Sequence, residues 1–70
     1  MTALDLQDHL LQRLDEVRRL CPEMRIGQFL ATVAMLGEDG TGRSLWDIDD
    51  EELATALERF AQDLSRRSSA

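Results

Sequence analysis

The chain contains no lysine, no asparagine and no tyrosine, and only one cysteine, one histidine, one proline and one tryptophan among its 70 residues. Each shortage excludes something. A solitary cysteine cannot close an internal disulfide, and it suits a reducing compartment. His9 and Cys21 are the only strong transition-metal ligands, and two scattered ligands do not make a tetrahedral site. All eight basic residues are arginines and face 14 acids, which leaves a net charge of −6. Nonspecific nucleic-acid affinity comes from basic side chains that displace counterions from phosphate, so nucleic acid is a poor partner for this composition. A cluster of Arg13, Arg18, Arg19, Arg66 and Arg67 on one face is the one arrangement that would rescue it. No apolar run approaches the ~20 residues of a membrane span. Met1-Thr-Ala-Leu-Asp5 lacks the basic-then-apolar pattern of a signal peptide, so the expected location is the cytoplasm.

What is present is helical. With 43% hydrophobic residues the chain has enough apolar material to fold, and its length predicts one domain with a marginal core. The expected organisation is a single helical domain over residues 1–67 with a frayed tail at 68–70. A first helix is predicted over about Thr2 to Cys21. At 100° per residue, Leu6, Leu10, Leu14, Val17 and Cys21 fall on one seam, while Leu4 and Leu11 stand off it as a shoulder. Asp15 and Arg19, four apart, can pair on its surface. Pro22 stops the helix.

A second helix is expected from Met24 or Arg25 to Leu36, with Gly37 as its left-handed cap. Only Gln28 and Thr32 interrupt a surface that is apolar or small over roughly 260°. Such a helix belongs at the centre of the fold, with Gly27, Ala31 and Ala34 allowing close approach of a neighbour. Gly37 to Trp46 then reads as a glycine-rich loop. The third helix has a clear start: Asp49 as N-cap, Glu52 as its capping-box partner and Ile48 stapled against Leu53. Acids at 47 and 49 to 52 face the positive end of its dipole, and Arg66 and Arg67 lie at the other end. Leu53, Leu57, Phe60 and Leu64 form its buried seam, with Ala54 and Ala61 beside them. The fold class is all-α, a compact bundle of three main helices.

Several strings invite chemistry and fail on context. Gly37 to Ser44 has Walker A spacing with Arg43 in place of lysine, but a phosphate loop needs a strand before it and a helix directly after it. Asp47, Asp49, Glu51 and Glu58 match calcium-loop positions, yet Glu52 stands where the sharp turn requires glycine. Cys21 lies on an apolar seam and reads as a structural thiol, and His9 as a solvated surface residue. Ser44-Leu45 in an acidic helical chain is similar to the modified serine of acyl carrier proteins, but Trp46-Asp47-Ile48 separates it from the next helix. No catalytic residue, metal site or cofactor is expected.

Pro22-Glu-Met-Arg25-Ile-Gly27-Gln28, followed by Leu45-Trp46-Asp-Ile-Asp-Asp-Glu-Glu52-Leu53, resembles a group of small bacterial proteins that pair a Pro-x-x-Arg-(Ile/Leu)-Gly-Gln helix start with an aromatic, acidic opening of a last helix. That group has no assigned activity, so the resemblance implies a domain boundary and not a function. The residues themselves suggest more. Arg25 opposes its own helix dipole and is expected to pair with Asp47 or Asp49, with Gln28 bonding the loop backbone between them; the alternative is that Arg25 and the acidic run meet a partner's charges. Trp46 is read as a lid on the core, with interface anchoring as the alternative. The predicted function is a noncatalytic protein-interaction module, a small adaptor or regulator with a basic protein partner and a tendency to homodimerise. Trp46, Arg25, Gln28, Leu4, Leu11, Asp47, Asp50 and Glu51 are its candidate contact residues. A carrier or small-ligand role centred on Gly37 to Ser44 is the alternative from a different class.

Overall fold

The computed structural model describes residues 2–68. Three helices, α1 (Ala3–Arg18), α2 (Ile26–Thr41) and α3 (Asp50–Ser68), form an all-α bundle, with a short 3-10 turn at Leu45–Asp47 between the last two. Thr2 and Asp5 start α1 with a reciprocal capping box: the Asp5 N–H donates to Thr2 Oγ1 at 3.2 Å and the Thr2 N–H to Asp5 Oδ2 at 3.1 Å. That bond and the Thr2 hydroxyl hold the Asp5 carboxyl below its usual range. The helix closes at Arg18, earlier than its apolar period, and tighter turn bonds from Leu20 to Val17 and from Cys21 to Arg18 carry the chain toward Pro22.

The end of α2 corrects the sequence reading. Gly37 is not a cap but a buried helical residue, and the helix runs on through Gly40 to Thr41. Gly42 is the left-handed cap, at φ 72°, with its N–H donating to the Glu38 carbonyl at 2.8 Å. The reason lies outside the helix. A Cβ at Gly37 would stand 3.1 Å from Ile48 Cδ1 and 3.7 Å from Ala56 Cβ, so the glycine lets α2 approach α3 and the segment that leads into it. Tertiary packing thereby overrides the weak helix propensity of two glycines. The stretch predicted as a loop is thus mostly helix and 3-10 turn.

The centre of the bundle also differs from the expectation. The apolar α2 does not occupy it; α1 and α2 each pack on α3. Gln7 of α1 reaches Asp50 and Arg13 reaches Glu58, so α1 and α3 run in the same direction. Phe29 stacks near Phe60 with ring centroids 5.9 Å apart, while Gly37 meets Ala56, so α2 runs the opposite way. The core between them holds Leu10, Val17 and Cys21 from α1, Phe29 and Val33 from α2, and Leu57, Phe60, Ala61 and Leu64 from α3. The predicted seams of α1 and α3 are the ones buried. α3 also starts much as read: the Asp49 N–H donates to Glu52 Oε1 at 3.1 Å, and Ile48 and Leu53 converge on Gly37. Of the frayed tail expected at 68–70, Ser68 instead closes α3, and residues 69 and 70 lie outside the described residues.

Candidate functional site

Helical geometry orders the residues around α2. Ile26, Leu30, Ala34 and Glu38, four apart, form one ridge along its flank. Phe29, Val33 and Gly37 lie on the neighbouring buried arc. On the far side of that arc, Leu36 and Thr32 face α3, so the Ile26–Glu38 ridge is the flank turned toward α1 and out to solvent. The same construction on α1 puts Arg13 and Leu6 toward α3 and Leu4 and Leu11 toward α2. Four large side chains, Leu4 and Leu11 of α1 with Ile26 and Leu30 of α2, are therefore exposed on the side turned away from α3, with Leu4 near the end of α2 and Ile26 and Leu30 at its start.

The 3-10 turn continues this face. The Glu38 carboxylate, at the end of the α2 ridge, accepts the Leu45 N–H at 3.0 Å and holds the turn against α2. Leu45 is exposed and Trp46 is 94% exposed, so the indole is not a lid on the core. Ile48 takes the covering role instead, because the 3-10 turn directs its side chain to Gly37 while Trp46 points away. Six of the eight exposed large hydrophobic residues thus gather on the α1–α2 side; Leu20 and Met35 are the other two. Leu4 and Leu11 are marked in the sequence by standing off their seam, whereas Ile26, Leu30 and Leu45 are not. The available signal was the broad apolar surface of α2, which exceeds what one neighbour can cover.

The charges are polarised along the bundle. At the end formed by the start of α1, the end of α2 and the start of α3 lie Asp5, Asp8, Glu38, Asp39 and the acids from Asp47 to Glu52, nine of the fourteen, with Arg43 as the only arginine among them. Arg43 binds the Glu52 carboxylate, Gln7 Nε2 donates to Asp50 Oδ2 at 3.2 Å, and Ser44 Oγ donates to Asp47 Oδ2 at 3.2 Å. Glu51 is exposed. The opposite end carries five arginines against four acids. Asp15 holds both Arg18 and Arg19, and these pairs lower its carboxyl below the usual range. Arg66 pairs with Asp63, so the arginines that would have formed a basic face are largely neutralised.

The expected bridge from Arg25 to Asp47 or Asp49 does not form among the described residues. The helix starts of α2 and α3 lie at opposite ends of an antiparallel pair, which puts that bridge out of reach. Gln28 likewise does not bond the loop; its Oε1 accepts the Arg25 N–H at 2.9 Å and caps α2. Arg25 itself is exposed.

A shallow groove of about 380 Å³ between α1 and α3 has Leu6, Leu10 and Leu57 at its base and His9, Arg13 and Glu58 at its edge. Arg13 bridges it by a two-point pair with Glu58 at 2.6 and 2.9 Å, which holds the Glu58 carboxyl below its usual range. Cys21 is buried, and burial pushes its thiol above its usual range, away from the nucleophilic thiolate. Among the described residues no three His, Cys, Asp or Glu side chains cluster as metal ligands, and no helix is long and apolar enough to cross a membrane. No protein family, curated protein or solved structure matches the chain.

Proposed function

We propose that the chain is a noncatalytic helical interaction module, a small adaptor or regulator that binds a basic protein partner through its α1–α2 side. The observation that carries this reading is a set of six exposed large apolar side chains on one side of the bundle, of which Leu4, Leu45 and Trp46 lie at the end that holds nine of the fourteen acids. Exposed apolar surface of this extent on so small a chain is costly unless a partner covers it. Trp46, alone among the aromatics in lying outside the core, is well suited to anchor the contact. The buried free thiol agrees with a reducing cytoplasmic setting.

Affinity capture from the source organism's lysate, run in parallel with wild type and a Trp46→Ala, Leu11→Ser double variant, tests it. A protein retained by wild type, lost from the variant and released by salt supports the module. Identical retention on both baits would contradict it.

A further inference from the structure

The α1–α2 side is shaped to take a fourth helix. Its long edge is the ridge of α2, whose 16 residues span about 24 Å, or four helical turns. Leu4 and Leu11 stand seven residues apart on α1, and Ile26 and Leu30 four apart on α2, so the exposed side chains repeat at helical spacing. Beside them Gly27, Ala31 and Ala34 leave the α2 surface low enough for another helix to lie close. Apolar side chains at this spacing on two helices fit the anchors of an amphipathic helix laid along that side.

The charges choose the occupant. Net negative charge is concentrated where Leu4, Leu45 and Trp46 lie. A second copy would fit poorly. Turned end for end, it would offer the acids an end whose five arginines already face four acids of their own, with Arg18 and Arg19 both held by Asp15. Laid in parallel, it would set acids on acids. We propose that the open α1–α2 face seats a basic amphipathic helix of about four turns from a different protein, its cationic side chains over the acidic end. This proposal rests on the interaction-module reading and specifies the form and charge of the partner.

The test uses the whole chain and its only tryptophan as reporter. The probe is a synthetic peptide of about 16 residues, leucine on one helical face and lysine on the flanks, with a second peptide in which every lysine is glutamate. The lysine peptide is expected to move Trp46 emission to shorter wavelength in a saturable manner, and to bind more weakly as salt is raised from about 0.05 to about 0.5 M. Leu30→Ser is expected to weaken binding about tenfold, a loss appropriate to one large apolar contact, while Met35→Ser, exposed elsewhere on α2, leaves it unchanged. Because both residues are exposed, neither variant threatens the fold, and circular dichroism checks that. Equal response to the glutamate peptide, an unmoved Trp46, or wild-type binding by Leu30→Ser would overturn the proposal. So would a dimer mass in light scattering joined to a concentration-dependent Trp46 shift without peptide, which gives the face to a second copy. If the lysine peptide fails while a captured cellular protein is still lost from the Trp46→Ala, Leu11→Ser bait, the module reading stands and the helix proposal falls.

Discussion

Gly37, Gly40 and Gly42 sit within two helical turns of one another in three different environments, and each predicts a different response to a side chain. Gly40 has ordinary helical backbone and room for a methyl group, with Arg59 Nη1 3.7 Å from a Cβ. Gly40→Ala should raise stability by about 0.5–1 kcal/mol through helix propensity and loss of unfolded-state freedom. Gly42 holds φ at 72°, where an L side chain is strained, so Gly42→Ala should cost about 1 kcal/mol. Thermal denaturation of the two variants checks the opposite signs. Cys21 gives a second residue-scale expectation. Buried and held as the thiol, it should react with a soluble disulfide reagent only as fast as the chain opens, so added urea should accelerate the reaction in step with unfolding.

Between elements, α1 is fastened to α3 by apolar packing, by the Gln7–Asp50 hydrogen bond and by one ion pair across the groove, Arg13 with Glu58. Both partners are partly solvated, so the pair is worth only about 0.5–1 kcal/mol. Its pH dependence has a definite sign. Because Arg13 depresses the Glu58 carboxyl in the fold, the stabilisation is present above the ordinary glutamate value, about 4.3, and is lost as pH falls through the lower folded value. Urea titrations of wild type and Glu58→Gln should differ at pH 7 and converge only once the pH has fallen below the depressed Glu58 value. A difference that persisted in acid would mean that the glutamine had disturbed packing instead.

The elements also show what the sequence discloses and what it withholds. The seams of α1 and α3 are legible because polar residues alternate with apolar ones at the helical period, and the start of α3 because Asp49 and Glu52 mark it chemically. α2 is ambiguous for the opposite reason: apolar on most sides, it carries no label for its buried arc, and centrality is a reasonable but wrong conclusion. Its true end was hidden because Gly37 is helical for a tertiary reason, the closeness of Ile48 and Ala56, which no local rule contains. Trp46 and Ile48 exchanged roles for a similar cause. Two residues apart, they differ in direction through the 3-10 turn, and that turn depends on Glu38 reaching Leu45 from another helix. The candidate face was therefore half legible: Leu4 and Leu11 stood off the α1 seam, but their junction with Ile26, Leu30 and Leu45 exists only once the helices are arranged.

At the scale of the molecule, one core serves all three helices, so damage to it should be global. Leu57 is completely buried where α1, α2 and α3 meet. Leu57→Ala should cost about 2–5 kcal/mol, a large share of what so small a domain has available, and circular dichroism should show the total helix lost in one cooperative transition at lower temperature. The net charge of −6 acquires a location as well. It resides at one end, and the remainder of the surface is close to balanced. High salt should therefore relieve repulsion within that end and stabilise the free chain modestly, while weakening its hold on a basic partner.

The central claim is that the α1–α2 side of the bundle is the working one. Backbone amide shifts of the isotopically labelled chain, followed during titration with the leucine–lysine peptide, distinguish the sides directly. The predicted result is a contiguous set of changes at Leu4, Leu11, Ile26, Leu30 and Trp46 with the α1–α3 groove undisturbed. Changes centred on Leu6, His9, Ala54 and Glu58 instead would place binding in that groove and contradict the account.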